Sequence, residues 1–157
     1  MGKNVEFCGM VQLNLPQATL KIKNSENKQF IFDIIRKKYV ALTPEEWVRQ
    51  HILNYLIHHK KYPATIIAVE KQLKVNDLQK RFDILIFNKS GMPYIIIECK
   101  SPATKINQAS FDQIARYNRT LKAEIVMVSN GLEHYVCKVD HLNERYVFLK
   151  ELPPYGV

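Results

Sequence analysis

The sequence predicts an α/β domain built around a mixed sheet, and three observations carry that expectation. Two apolar β runs are joined by a turn, a strongly capped helix lies ahead of them, and a second helix followed by another apolar strand lies behind. The two runs, residues 82–87 and 94–97, are rich in branched and aromatic side chains, and Asn88-Lys89-Ser90-Gly91 between them has turn chemistry. Both are apolar on both faces, as expected when helices cover each side of a sheet.

Taken in order, residues 1–42 read as a β-rich extension: 19–23 alternates, Asn24-Ser25-Glu26-Asn27 is a turn, and 29–35 is a second strand before the basic Arg36-Lys37-Lys38. Thr43-Pro44-Glu45-Glu46 starts a helix, with threonine as N-cap, proline at the first position and Glu46 completing a capping box. That helix is expected to reach His59. Pro63 breaks the chain before a strand over 65–75, and Asn76-Asp77 turns it into the central hairpin. Ser101-Pro102 ends the hairpin, 107–122 reads as a helix burying Ile114, Ala115 and Leu121, and 124–128 is a short apolar strand stopped by Ser129-Asn130-Gly131. Strands over 133–139 and 145–149 precede Pro153-Pro154. The expectation is one domain over 1–157, with a core at 43–130 and trailing strands and tail at 131–157.

Composition narrows the class. With 157 residues and 46% apolar side chains, the chain can bury a real core. No apolar run approaches the roughly 18 to 20 residues of a membrane span, and the N-terminus lacks a signal-peptide core, so a soluble cytoplasmic protein without membrane partners is expected. Cys8, Cys99 and Cys137 make an odd count without a CxxC, which argues for reduced thiols. His134 and Cys137, or His51 and His58, lack the paired spacing of a structural zinc site. Neither a Walker A loop nor a dinucleotide fingerprint nor a GxSxG elbow is found. The net charge of +8 and pI near 9.4 favour a polyanionic partner.

Three charges interrupt the apolar hairpin. A symmetric register pairs Asp83 with Glu98, Leu85 with Ile96 and Phe87 with Tyr94. Facing Cβ atoms then lie about 4.5 to 5.5 Å apart, and at an effective dielectric near 20 two carboxylates at that distance repel by roughly 3 kcal/mol. A divalent cation between them would neutralise the pair. Lys100 shares their face by the strand's period of two, and Cys99 points the other way.

Asp83, fourteen residues and then Glu98-Cys99-Lys100 resembles the PD-(D/E)xK nuclease superfamily, whose core runs helix, three strands, helix, strand. Gln113 and Tyr117 in DQIARYN, with VALTPEEWVRQHILNYL, RFDILIF, IIIECK and VSNG, make residues 39–135 similar to the N-terminal nuclease domain of type I restriction enzyme R subunits. Phe82 stands where the superfamily's name has proline. The resemblance implies a restriction-endonuclease-like fold and a divalent-metal-dependent DNA endonuclease of restriction type. It gives Asp83, Glu98 and the Cys99 carbonyl as ligands of Mg²⁺ or Mn²⁺, with Lys100 orienting the attacking water or stabilising the transition state. Glu46, in a Glu-x-x-Arg arrangement with Arg49, and Glu70 are rivals for the remaining metal position; a capping box equally accounts for Glu46, and a strand's wet face for Glu70. Gln113 and Tyr117 would position DNA or the metal's water shell, and Arg49, Lys105, Arg116, Arg119 and Lys122 would meet phosphates.

DNA is thus the expected partner, with separate specificity and motor subunits supplying targeting, and a homodimer suiting double-strand cleavage. The alternatives are a catalytically inactive DNA-binding or assembly module on the same scaffold, and a nuclease acting on RNA or on branched DNA.

Overall fold

The computed structural model describes residues 10–157. Cys8 lies outside them. A small antiparallel sheet comes first, with strands β1 (Ile22–Ser25), β2 (Lys28–Asp33) and β3 (Lys38–Ala41) in that order. Its bounds differ from those expected. Glu26 and Asn27 both take positive φ, 51° and 64°, so the turn is a tight two-residue one and β1 runs on to Ser25. β2 stops at Asp33 because its carboxylate accepts the N–H groups of Ile35 and Arg36, both at 2.8 Å, bending the chain where a longer strand was expected. That bend returns the basic run as β3, a strand the sequence reading did not contain.

Helix α1 (Pro44–Asn54) begins as its cap predicts, with Thr43 Oγ1 accepting the Glu46 N–H at 3.0 Å. Its last turn widens at Tyr55–His59, where the Lys60 N–H reaches back to the Tyr55 carbonyl. After a short turn at Ala64–Ile66, β4 (Ile67–Val75), β5 (Leu78–Phe87) and β6 (Pro93–Cys99) form an antiparallel meander. Helix α2 (Gln108–Leu121) crosses over to β7 (Ile125–Ser129), parallel to β6, and β8 (His134–Asp140) and β9 (Arg145–Leu149) complete a six-stranded sheet in sequence order. The result is an α/β fold: a mixed six-stranded sheet, two helices and an antiparallel three-stranded sheet.

The central sheet separates two cores. Ile84, Ile86, Ile95, Ile97 and Cys99 pack with Trp47, Val48 and Ile52 of α1 and Ile31 of the small sheet. Leu85, Ile96, Val126 and Val128 pack with Phe111 and Ile114 of α2. Phe82 belongs to the α2 side with Leu85, three residues away, although strict alternation would place it opposite. The break falls at Asp83. In the β4–β5 ladder the pairs run Val69 with Ile84 and then Lys71 with Phe82, skipping Glu70, whose φ is 56°. Both strands change face there, and the residues at the change are two acids.

The hairpin register agrees with expectation at Leu85 and Ile96, but Phe87 pairs with Pro93 instead of Tyr94. Asn88 explains the shift. Its side chain accepts the N–H groups of Ser90 and Met92, and Gly91 at φ 78° closes a longer loop that bulges one strand.

Candidate active site at the fork of the central hairpin

Beyond Ile84 and Ile97 the β5–β6 ladder stops, and a side chain replaces it: Asp83 Oδ2 accepts the Cys99 N–H at 2.8 Å. Continuing the register by one pair puts Asp83 opposite Glu98. Asp83 therefore fills the fork between the strands, while Glu98 lies beside Lys100, whose Nζ is 3.3 Å from Glu98 Oε1. Burial pushes the Glu98 carboxyl above its ordinary pKa, the Asp83 charge pushes it further, and Lys100 and then Lys80 oppose them. The Cys99 thiol faces the α1 core, 1% exposed, and burial raises its pKa, so only its backbone faces the site.

Four carboxylates converge on Arg49. Its Nη2 donates to Glu70 Oε1 at 2.7 Å, Asp83 Oδ1 at 2.9 Å and Glu45 Oε1 at 3.3 Å, and its Nη1 donates to both Glu46 oxygens at 3.0 and 3.1 Å. Burial alone would lower the Arg49 pKa, but Glu46 first, with Asp83 and Glu70 behind it, carries it well above the usual range. Arg49 was expected to meet phosphate. Its side chain is 6% exposed and enclosed by acids, which makes it the internal counter-ion of the cluster.

The two rivals for a third acidic position are both committed elsewhere. Glu46 accepts from Arg36 at 2.7 Å as well as from Arg49, and Arg36 in turn pairs with the fully buried Asp33 at 2.7 Å. Burial would raise the Asp33 carboxyl, yet the hydrogen bonds from Arg36 and Ile35 hold it below its ordinary range. Glu70 lies between Arg49 and Arg81. The acid that sequence reasoning passed over is Glu45. It is half exposed, and burial followed by repulsion from Asp83 raises its pKa, against the pull of Arg49 and Lys100. Its spacing of four from Arg49 was the available signal.

On the α2 side, Lys80 stands 5.1 Å from the Tyr117 ring centre, and Tyr117 meets Phe82 edge to face at 6.3 Å. Lys80 was missed because β5 begins four residues before the run expected. Gln113 lies exposed one turn ahead of Tyr117. Lys105 and Arg116 are exposed, whereas Arg119 and Lys122 line a separate cleft of about 370 Å³ with Asp140, His141 and Glu144.

The donor set suits a hard cation. Mg²⁺ is bound through one or two carboxylates and several waters, which Asp83 and Glu98 can supply at the fork. Among the described residues no three histidine, cysteine or acidic side chains form a ready-made metal cage. Arg49 occupies that electrostatic role for Asp83.

Fold and cluster together define an α/β domain whose charged site lies where two central strands part. The chain belongs to the family described as Type I restriction enzyme R protein N terminus, which matches residues 44–153. Among solved structures, it is similar to a fragment described provisionally as the HsdR subunit of a type I restriction enzyme from Vibrio vulnificus YJ016. That match has a TM-score of 0.50 at 17% identity and covers 71% of this chain and 24% of the other, so it speaks to the fold alone. This chain thus spans about a quarter of the length of that solved chain. No curated protein matches. No helix among the described residues is long and apolar enough to cross a membrane.

Proposed function

We propose that the domain is a divalent-metal-dependent DNA endonuclease of a restriction system, with Asp83, Glu98 and Lys100 at its centre. The observation that carries the reading is Asp83 and Glu98 on neighbouring strands at an interrupted ladder, close enough for one charge to raise the pKa of the other, with a lysine at 3.3 Å. Strand-interior acids inside runs of buried isoleucine are costly unless they have work to do with charge. Bound at the fork, Mg²⁺ or Mn²⁺ would supply the positive charge that lowers the pKa of an attacking water and offsets the scissile phosphate.

The chain's own residues provide the rest. Asp83 is fixed by the Cys99 N–H and by Arg49, so its position costs little reorganisation on reaction. Glu98 supplies the second carboxylate, and Lys100 holds a proton donor where charge develops on phosphate. Glu45, half exposed, electrostatically linked to Asp83 and held by Arg49 only at 3.3 Å, is the acid with most room to turn toward an incoming ion. The Lys80 and Tyr117 pair borders the α2 side and suits a phosphate and sugar passing beside Glu98. Targeting through separate specificity and motor subunits belongs to the same proposal.

Nicking of supercoiled plasmid tests it. Wild type should convert supercoiled to open-circle DNA in Mg²⁺ or Mn²⁺ and not in EDTA, while Asp83→Ala, Glu98→Ala and Lys100→Ala should lose that conversion with their circular dichroism unchanged. Undiminished nicking by Glu98→Ala removes the proposal.

A further inference from the structure

The outer face of the small sheet carries three rings that belong to neither core. Alternation that buries Ile31 and Asp33 turns Phe30 and Phe32 outward, and the pairing of Phe32 with Tyr39 puts the tyrosine on the same side. Lys23 lies opposite Phe30, and Lys21, whose carbonyl accepts the Phe32 N–H, and Lys28 share that side by the same period. Phe32 and Tyr39 meet edge to face with centres 5.3 Å apart. Lys21 Nζ stands 5.5 Å from the Phe32 ring, and Lys23 Nζ stands 4.2 Å from the Tyr39 ring. Phe30 and Phe32 are half-buried, Tyr39 is 38% exposed, and the three lysines are exposed. Within the three strands the one acid is Asp33, which faces inward and is fully buried. Glu26, in the exposed β1–β2 turn, is the nearest acid along the chain, so the strands themselves present an aromatic and cationic face.

We propose that this face is a stacking platform for an unpaired nucleic-acid strand. Bases lie against Phe30, Phe32 and Tyr39, and Lys21, Lys23 and Lys28 meet the phosphates between them. Rings on an open sheet can stack only on bases whose faces are free, which a duplex hides. An apolar protein partner would instead bury three lysines without acids to pair them. The platform also lies close to the acid cluster along the chain. Glu45 follows Tyr39 by six residues, so the backbone between them spans at most about 22 Å. Binding here does not require hydrolysis, and it stands whether or not the cluster cuts.

Fluorescence anisotropy on the full chain tests the platform, with labelled twenty-nucleotide oligo-dT, oligo-rU and a duplex of equal length, all in EDTA. Both single strands should bind more tightly than the duplex, and the stronger of the two names the sugar preferred. Phe32→Leu with Tyr39→Leu should weaken single-strand binding by about 100-fold, roughly tenfold per ring. Lys21→Gln with Lys23→Gln should shallow the slope of log affinity against log salt by about 1.4, or about 0.7 per phosphate contact on a single strand. These exposed lysines decide the matter if the ring variant misfolds. All binding is read in EDTA, where metal-dependent cleavage is off, and nicking of plasmid in Mg²⁺ is read separately, so that failure of the platform and failure of the nuclease reading are read apart. The proposal is overturned by duplex binding as tight as single-strand binding, by an unchanged salt slope in the lysine variant, or by polyglutamate competing as well as oligo-dT.

Discussion

Replacing Arg49 by methionine keeps an unbranched stem and removes the guanidinium, the one charge on which Glu45, Glu46, Glu70 and Asp83 converge, all within 3.3 Å. The arginine is 6% exposed and Glu46 is 8% exposed, so the loss is that of a buried partner, for which about 3–5 kcal/mol is typical because the remaining charges stay desolvated. In a domain of this size about 1 kcal/mol shifts the melting temperature by about 2–4 °C, which puts the expected fall at about 6–20 °C near neutral pH. A divalent cation can take over the charge that the guanidinium supplied. Mg²⁺ at a hundred times its dissociation constant stabilises the binding state by about 2.7 kcal/mol, so it should restore a large part of the loss in the variant and raise the wild type by less, where Arg49 competes. Differential scanning fluorimetry of both proteins across Mg²⁺ concentrations is the assay. A variant that melts within about 2 °C of wild type, or one that Mg²⁺ does not restore, refutes the idea that this cluster is held by one interchangeable positive charge.

The two neighbouring glutamates should separate stability from chemistry. Glu46→Gln, which breaks buried pairs with Arg36 and Arg49, should cost about 3 kcal/mol in urea unfolding, whereas Glu45→Gln should leave the midpoint unchanged and lower Mn²⁺ affinity in titration calorimetry. Glu98 carries a raised pKa, so from its ordinary value of 4.5 up to the folded value the native state holds more protons than the unfolded one. Stability therefore falls as pH rises through that window and stays reduced above it. Glu98→Gln should melt above wild type at pH 7.5, with the difference gone at pH 4. Cation binding needs the charged carboxylate, so Mn²⁺ affinity should weaken as pH drops into the same window, earlier than for an ordinary glutamate. Gly131→Ala should destabilise by about 1–3 kcal/mol in the same denaturation assay: its φ is 85°, and a Cβ would meet Leu13 at 2.7 Å and Val48 at 3.1 Å.

What could be read in advance follows the range of the forces involved. The α1 cap, the hairpin, α2 and the last strand are set by neighbours in sequence, and Thr43, Asn107 and the isoleucine runs announce them. β3 was invisible because its cause is the Asp33 carboxylate folding back on Ile35 and Arg36, which looks in the sequence like an acid ahead of a basic run. The same limit applied at the site. That Asp83, Glu98 and Lys100 come together was legible because charges inside a buried strand stand out. The pairing of Glu45, Glu46 and Glu70 was not, because it depends on where Arg36 and Arg49 land after the small sheet and α1 have packed. Arg49 shows the point most plainly: as a residue type it suggests phosphate, and only its enclosure by four acids makes it a counter-ion.

Anomalous diffraction from crystals soaked in Mn²⁺ addresses the site directly. An ion peak between the Asp83 and Glu98 carboxylates, with Lys100 beside it and Arg49 withdrawn from Asp83, is the expected result. Absence of any peak at the fork with Mn²⁺ at millimolar concentration, or a peak that touches neither carboxylate, would contradict the account.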